Sequence, residues 1–302
     1  MAMDNPEIIN RTRELLVDHY VFPDVASRVV AVLTEAEAAG RYRDATEPAT
    51  LGKIVTEDLQ SINQDKHLRL KFHAEEQPDL PSEELMAAEA RRDAQRGMHG
   101  IGRVERLEGN IAVVDVDRLH PTSISGEVFA AVMTLIADAD GLVIDLRKCS
   151  GGHPGTVALV CSYLFGDEPV HLNGMYERHS DRTTQSWTLP FVPGKRYGPD
   201  KPICVLTSAV TFSGGEELAY DLQQLGRATI VGESTGGGAH PRVGFRLHPH
   251  LELTVPVARS IHPVTGTNWE GVGVAPDVAV PAEDALETAT GLLRERLAEA
   301  AA

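Results

Sequence analysis

The chain is poor in cysteine, poor in aromatics and short of positive charge. Only Cys149, Cys161 and Cys204 occur in 302 residues. Their number is odd and no two are spaced as CxxC, so neither a disulfide framework nor a zinc knuckle is suggested. Lys and Arg number 28 against 44 Asp and Glu, a formal net charge of −16. A nucleic-acid binder or a protein docking on anionic lipid needs clustered cations, and this balance argues against both. No apolar run reaches membrane-spanning length. The N-terminal stretch MAMDNPEIINRTREL is polar and has no apolar signal core, so a cytoplasmic setting is the expectation.

What is present is ordinary globular composition, with a length sufficient for one large domain or two modest ones. The first part reads as helices. Ile8, Ile9, Leu15, Leu16 and Val17 make a helical apolar stripe. Asp24 is placed to cap a second helix through ASRVVAVLTEAEAAG, and ATLGKIVTEDLQSI supplies a third pattern. Alternating Leu68–Phe72 predicts a first strand. The charged stretch EEQPDLPSEELMAAEARRDAQRG carries two prolines and reads as a connector whose second half suits a solvated helix. Beyond Gly100, strands and helices alternate: NIAVVDV, GEVFAAVMTLIAD, GLVIDLR, GTVALVCSYLF, PICVL, GGEELAYDLQQLG, ATIVG. That alternation predicts an α/β layer. RVGFRL, LELTVPV and ARSIH are β-like, and EDALETATGLLRERLAEA closes the chain as a helix.

The chemistry concentrates where strands give way to glycine. In TFSGGEEL, Ser213 stands between a buried strand and a helix. There its hydroxyl is displayed above the sheet edge, and the unpaired N–H groups of the helix's first turn lie behind it. The logic is that of a nucleophile elbow without the G-x-S-x-G spacing. The plainer alternative makes Ser213 a helix cap, with Glu216 completing a capping box. A second turn, DLRKCSGGHPG, ends another buried strand at Gly151 and Gly152, where ligands of open α/β sheets gather. A serine nucleophile needs a base. His67, His153 and His240 all lie at turns or strand starts, and spacing does not choose among them. Glu270, flanked by Trp269 and two nearby glycines, is a loop acid of either structural or functional use.

The run from RTTQSW to GGGAHP, with GLVIDLRKCSGG, NQDKHLRL, YVFPD and TGTNWEGVGVAPDV, resembles the tail-specific (C-terminal processing) serine peptidases. It is most similar to their branch containing interphotoreceptor retinoid-binding protein and the tricorn-core-like peptidases. The resemblance implies a helical cap over 1–75, a connector over 76–99, and an α/β core of the ClpP/crotonase-like spiral type over 100–302, without a PDZ module. It implies Ser213 as nucleophile, His67 as general base and Glu270 as its orienting acid. The N–H of Gly214, with Gly151 and Gly152, would form the oxyanion hole. The lysine of the Ser-Lys processing enzymes falls on Gly238, so that dyad is absent. Cys149 occupies a place where an asparagine is common. No metal or organic cofactor is implied. The expected partner is a peptide or protein substrate. The retinoid-binding relatives keep open a non-catalytic alternative, in which the same cleft holds an apolar retinoid or fatty-acid ligand.

Overall fold

The computed structural model describes residues 3–77 and 83–301; the prolines of the connector fall at its undescribed positions. In chain order the elements are α1 (Asn5–His19), α2 (Pro23–Ala38), α3 (Pro48–Leu59), β1 (Arg69–Phe72), α4 (Glu83–Arg96), β2 (Ile101–Leu107) and β3 (Ile111–Val116). Then come α5 (Thr122–Ile136), β4 (Gly141–Asp145), α6 (Pro154–Leu164), β5 (His171–Glu177), β6 (Arg182–Trp187) and β7 (Ile203–Thr207). The remainder is α7 (Gly214–Gln224), β8 (Thr229–Gly232), β9 (Arg242–His248), β10 (Leu251–Pro256), β11 (Ala258–Ile261), β12 (Val278–Ala279) and α8 (Ala285–Ala300). Asp24 does not cap α2: the helix starts one residue earlier, at Pro23, after Phe22. Proline at the first helical position costs no hydrogen bond and presets the backbone, which moves the start upstream.

The residues fall into two compact units. The first contains 1–82, 175–184 and 240–260. In it α1, α2 and α3 share an apolar core with a three-stranded antiparallel sheet, ordered β1-β10-β9. The β-like segments RVGFRL and LELTVPV therefore join the N-terminal helices. Arg69 pairs with Thr254 and Leu70 with Leu253, which turns Leu70, Leu251 and Leu253 into a buried set. Gly52 lets α3 approach β1, because a Cβ there would sit 2.9 Å from the Leu70 carbonyl oxygen.

The second unit contains 83–174, 185–239 and 261–302. Its sheet runs β12-β8-β7-β4-β3-β2; all neighbours are parallel except β2 with β3. β4 and β7 are buried at every position, as strands covered on both faces must be. One face packs on α5, α6 and α7, and the other on Ala285, Ala289 and Leu293 of α8. The register pairs Asp145 with Leu206 and Thr207 with Gly232. The carboxyl ends of β4, β7 and β8 thus reach the same sheet edge, and the loops leaving them are neighbours.

Candidate active site

In the second unit, the turns after β4 and β7 are stitched together by side chains the sequence makes small and hydroxylic. Thr211 Oγ1 donates to the Leu146 carbonyl at 2.8 Å, and Ser208 Oγ to the Arg147 carbonyl at 2.6 Å. The Phe212 N–H donates to the Cys149 carbonyl at 3.0 Å. Arg147 is held in turn by Asp145, Nη2 to Oδ2 at 2.6 Å, and by the Ala282 carbonyl. These bonds fix the approach of the two turns before any glycine is considered.

Glycine then sets the closeness. Gly151 and Gly152 have φ of +108° and +150°. A Cβ on Gly151 would lie 2.8 Å from Ser213 Cβ, and one on Gly214 would lie 2.8 Å from the Gly152 carbonyl oxygen. A Cβ on Gly215 would strike Cys149 Sγ at 2.9 Å. Ser213 itself has φ +53°, a left-handed backbone that a serine adopts only when its surroundings demand it. The N–H groups of Gly151, Gly152 and Gly214 donate to no acceptor among the described residues. Free donors beside a strained serine, at the positive end of an eleven-residue helix, are the makings of an oxyanion hole.

Glu216 has a larger part than a capping box assigns it. It is fully buried, and its carboxylate accepts from the Ser213 N–H at 2.8 Å. It also accepts from Thr235 Oγ1 at 2.5 Å and from the N–H groups of Gly237 and Gly238 at 2.6 and 2.9 Å. Burial raises its pKa, and these donors counter the rise. One side chain therefore ties the serine turn to the glycine loop after β8. The four donors come from 3 to 22 residues away, so only the nearest was legible from sequence.

Glu270 lies on the neighbouring loop of the same unit. Its Oε2 accepts from the Ala239 N–H at 2.5 Å, and its own N–H donates to Asn268 Oδ1 at 2.9 Å. Trp269 is buried and donates Nε1–H to the Gly238 carbonyl at 3.0 Å, which clamps the loop. Cys149 is also buried; loss of solvent pushes its thiol up to about 11 and keeps it neutral. In this chain it packs against the helix start. His153 serves as the N-cap of α6, accepting from the Gly155 N–H at 3.0 Å.

His67 belongs to the first unit. It is 8% exposed, and burial drives its pKa down to about 4, with Asp65 opposing and His240 and two arginines assisting. An imidazole held neutral is a proton acceptor. His240 lies in the same unit and pairs through Nδ1 with Asp65 Oδ2 at 2.8 Å. The sequence offered His240 as one glycine-turn histidine among several. Its carboxylate partner stands 175 residues away, and no local signal announces the pair.

Comparison with known proteins bears on the family of the chain and on its fold. The model of peptidase family S41 matches residues 110–280. The model of the N-terminal domain of that family in eukaryotic IRBP matches residues 2–97. A carboxyl-terminal-processing protease of Picosynechococcus sp. is 31% identical over 149 residues, covering 48% of this chain and 33% of that protein. One from Synechocystis sp. is 29% identical over 142 residues, covering 47% and 31%. The matched part is thus about a third of the length of those relatives. Among solved structures, the photosystem II D1 C-terminal processing protease shares the fold with a TM-score of 0.53 at 14% identity, covering 93% of this chain and 94% of that one. With more than half of its length matched by the family model, the chain belongs to peptidase family S41.

Proposed function

We propose that the protein is a serine peptidase that cleaves peptide bonds by acyl transfer. The observation that carries this reading is the Ser213 turn: a left-handed serine at a helix N-terminus, pressed against Gly151, beside backbone N–H groups that donate to no acceptor among the described residues. Ser213 Oγ attacks the substrate carbonyl carbon while His67 takes its proton. The oxygen of the tetrahedral intermediate is received by the N–H of Gly214 and those of Gly151 or Gly152, each donor being worth about 3–4 kcal/mol in comparable sites. The C–N bond breaks as His67 returns the proton to the leaving amine. Water, deprotonated by the same imidazole, then releases the acyl group. Glu270 is the acid assigned to orient His67 and stabilise the imidazolium. The family membership and the carboxyl-terminal-processing relatives support a peptide or protein substrate.

The test is covalent labelling of the full chain with a fluorophosphonate, together with hydrolysis of a peptide library read by mass spectrometry. Wild type labels and cleaves; Ser213→Ala does neither and melts at an unchanged temperature. Equal labelling of the two proteins removes Ser213 from the mechanism. The match to an N-terminal domain of eukaryotic IRBP gives the non-catalytic reading a specific footing. Saturable long-chain fatty-acid binding, with no labelling of Ser213, would establish that reading instead.

A further inference from the structure

We propose that Asp65 and His240 are positioning residues for His67, joined with Tyr20 and Asn63 in a buried rack that pins the backbone from which the imidazole projects. This rests on the reading of His67 as general base. Asp65 is fully buried, and each carboxylate oxygen is committed. Oδ1 accepts from the backbone N–H of His67 at 3.1 Å. Oδ2 accepts from Tyr20 Oη at 2.9 Å and faces His240 Nδ1 at 2.8 Å. Asn63 Nδ2 donates to Tyr20 Oη at 2.7 Å, so the phenol passes its own proton on to Asp65. On the other side, Thr254 Oγ1 from β10 donates to the His67 carbonyl at 2.6 Å. Both backbone groups of His67 are therefore pinned, one by a carboxylate and one by a hydroxyl.

The chain of donors also assigns a tautomer. Asp65 Oδ2 has only lone pairs to offer, so His240 Nδ1 carries the hydrogen that points to it. Phe22 meets the His240 ring edge-on with centroids 5.2 Å apart, which holds the plane of the ring. Tyr20 and Phe22 come from YVFPD, Asp65 and His67 from DKH, and His240 from GGGAHP. One rack thus gives a common purpose to three motifs that look unrelated in sequence.

Charges of both signs face His67. Asp65 raises its basicity, whereas His240, Arg242 from β9 and Arg69 from β1 lower it, all within a site that burial already makes hostile to positive charge. Asp65 is the counterweight among these charges, the one that favours the protonated imidazole.

The test measures the second-order rate of fluorophosphonate labelling of Ser213 in the full chain from pH 2.5 to 9, with circular dichroism and melting at each pH as folding controls. His240→Ala and Asp65→Asn should slow labelling at least 30-fold near pH 7.5. His240→Asn, whose amide can replace the Nδ1 donor, should recover to within about fivefold of wild type. In Asp65→Asn the acidic limb of the profile should move to lower pH, a displacement that mere loosening of the fold does not produce. If Asp65→Asn fails to fold, the Ala-against-Asn comparison at His240 decides alone. Wild-type rates and an unmoved limb in Asp65→Asn and His240→Ala, with His67→Ala silent, overturn the rack and leave the peptidase reading standing. A wild-type rate in His67→Ala overturns His67 as base, and the rack with it.

Discussion

Single residues in this protein are constrained by ångström-scale clearances more than by bulk hydrophobicity. Gly152 is the clearest case. A Cβ there would lie 2.0 Å from the Leu119 carbonyl oxygen, and its φ of +150° is foreign to side-chain-bearing residues. The carbonyl belongs to backbone already bonded to the turn: the Leu119 N–H donates to Gly151, and the His153 N–H donates back to Leu119. It has nowhere to move. Gly152→Ala should therefore lower stability by about 2–4 kcal/mol and abolish fluorophosphonate labelling, since the N–H groups around Ser213 would be displaced. Chemical denaturation with a parallel labelling assay checks this. A variant of wild-type stability and labelling would show that the turn yields more than its contacts allow.

At the scale of the element, α7 carries an unusual load. Helices normally bury a stripe, but α7 buries Gly214 through Leu222, including Glu216, Glu217 and Asp221. Glu216 is compensated by its donors. Asp221 is not: both carboxylate oxygens lack a hydrogen bond among the described residues, and His262 Nε2 stands 4.0 Å away. Burial, reinforced by Glu217, lifts the Asp221 pKa well above the ordinary carboxylate value, and burial takes Glu217 itself to about 7. Burial also holds His262 down at about 4, so that pair is neutral near pH 7. A raised carboxyl keeps its proton in the folded state after the unfolded chain has lost its own. Its stabilisation is full below the ordinary carboxylate range and erodes as pH rises, by about 1.4 kcal/mol per pH unit across that window. Asp221→Asn removes the titration. The variant should gain on wild type steadily as pH rises from 5 to 8 in urea unfolding. A gap that does not change with pH would mean that Asp221 is ionised in the folded protein.

The elements also show what could be read from the amino-acid order and what could not. Ser213 and Gly151 were legible because strand, glycine and helix follow one another within a few residues, and a parallel sheet brings such turns to one edge. His67 was one candidate base among three and Glu270 was marked only by Trp269 and nearby glycines; their roles came from the family resemblance. The Asp65–His240 pair and the convergence of Thr235, Gly237 and Gly238 on Glu216 escaped notice, because they depend on register and on long-range loop contacts. The placement of β9 and β10 with the N-terminal helices was hidden for the same reason. A β pattern records that a strand has one buried face, and leaves unsaid which core buries it.

For the whole molecule, the net charge of −16 is a property that no single contact offsets. Mutual repulsion opposes compaction and is screened over about 10 Å at 0.1 M salt. Raising sodium chloride from 20 to 300 mM should therefore raise the melting temperature by a few degrees. On the proposed peptidase reading, the same increase should reduce kcat/KM for peptides flanked by lysine and arginine, because a negative field drawing them in would be screened. Calorimetry and a salt series with a basic and an acidic peptide check both. Equal salt dependence for the two peptides would show that the charge lies too far from the cleavage site to guide them.

The two units are not consecutive lengths of chain. The polypeptide changes unit after residues 82, 174, 184, 239 and 260. The stretch that the N-terminal family model covers stops at residue 97, before either strand that completes its sheet. Cut out there, it would leave β1 without β10 and the apolar flanks of α1 and α3 facing water. Gene fusion or recombination at that seam would part Leu251, Leu253 and Val255 from the core they complete. The two units are consequently obliged to be inherited together.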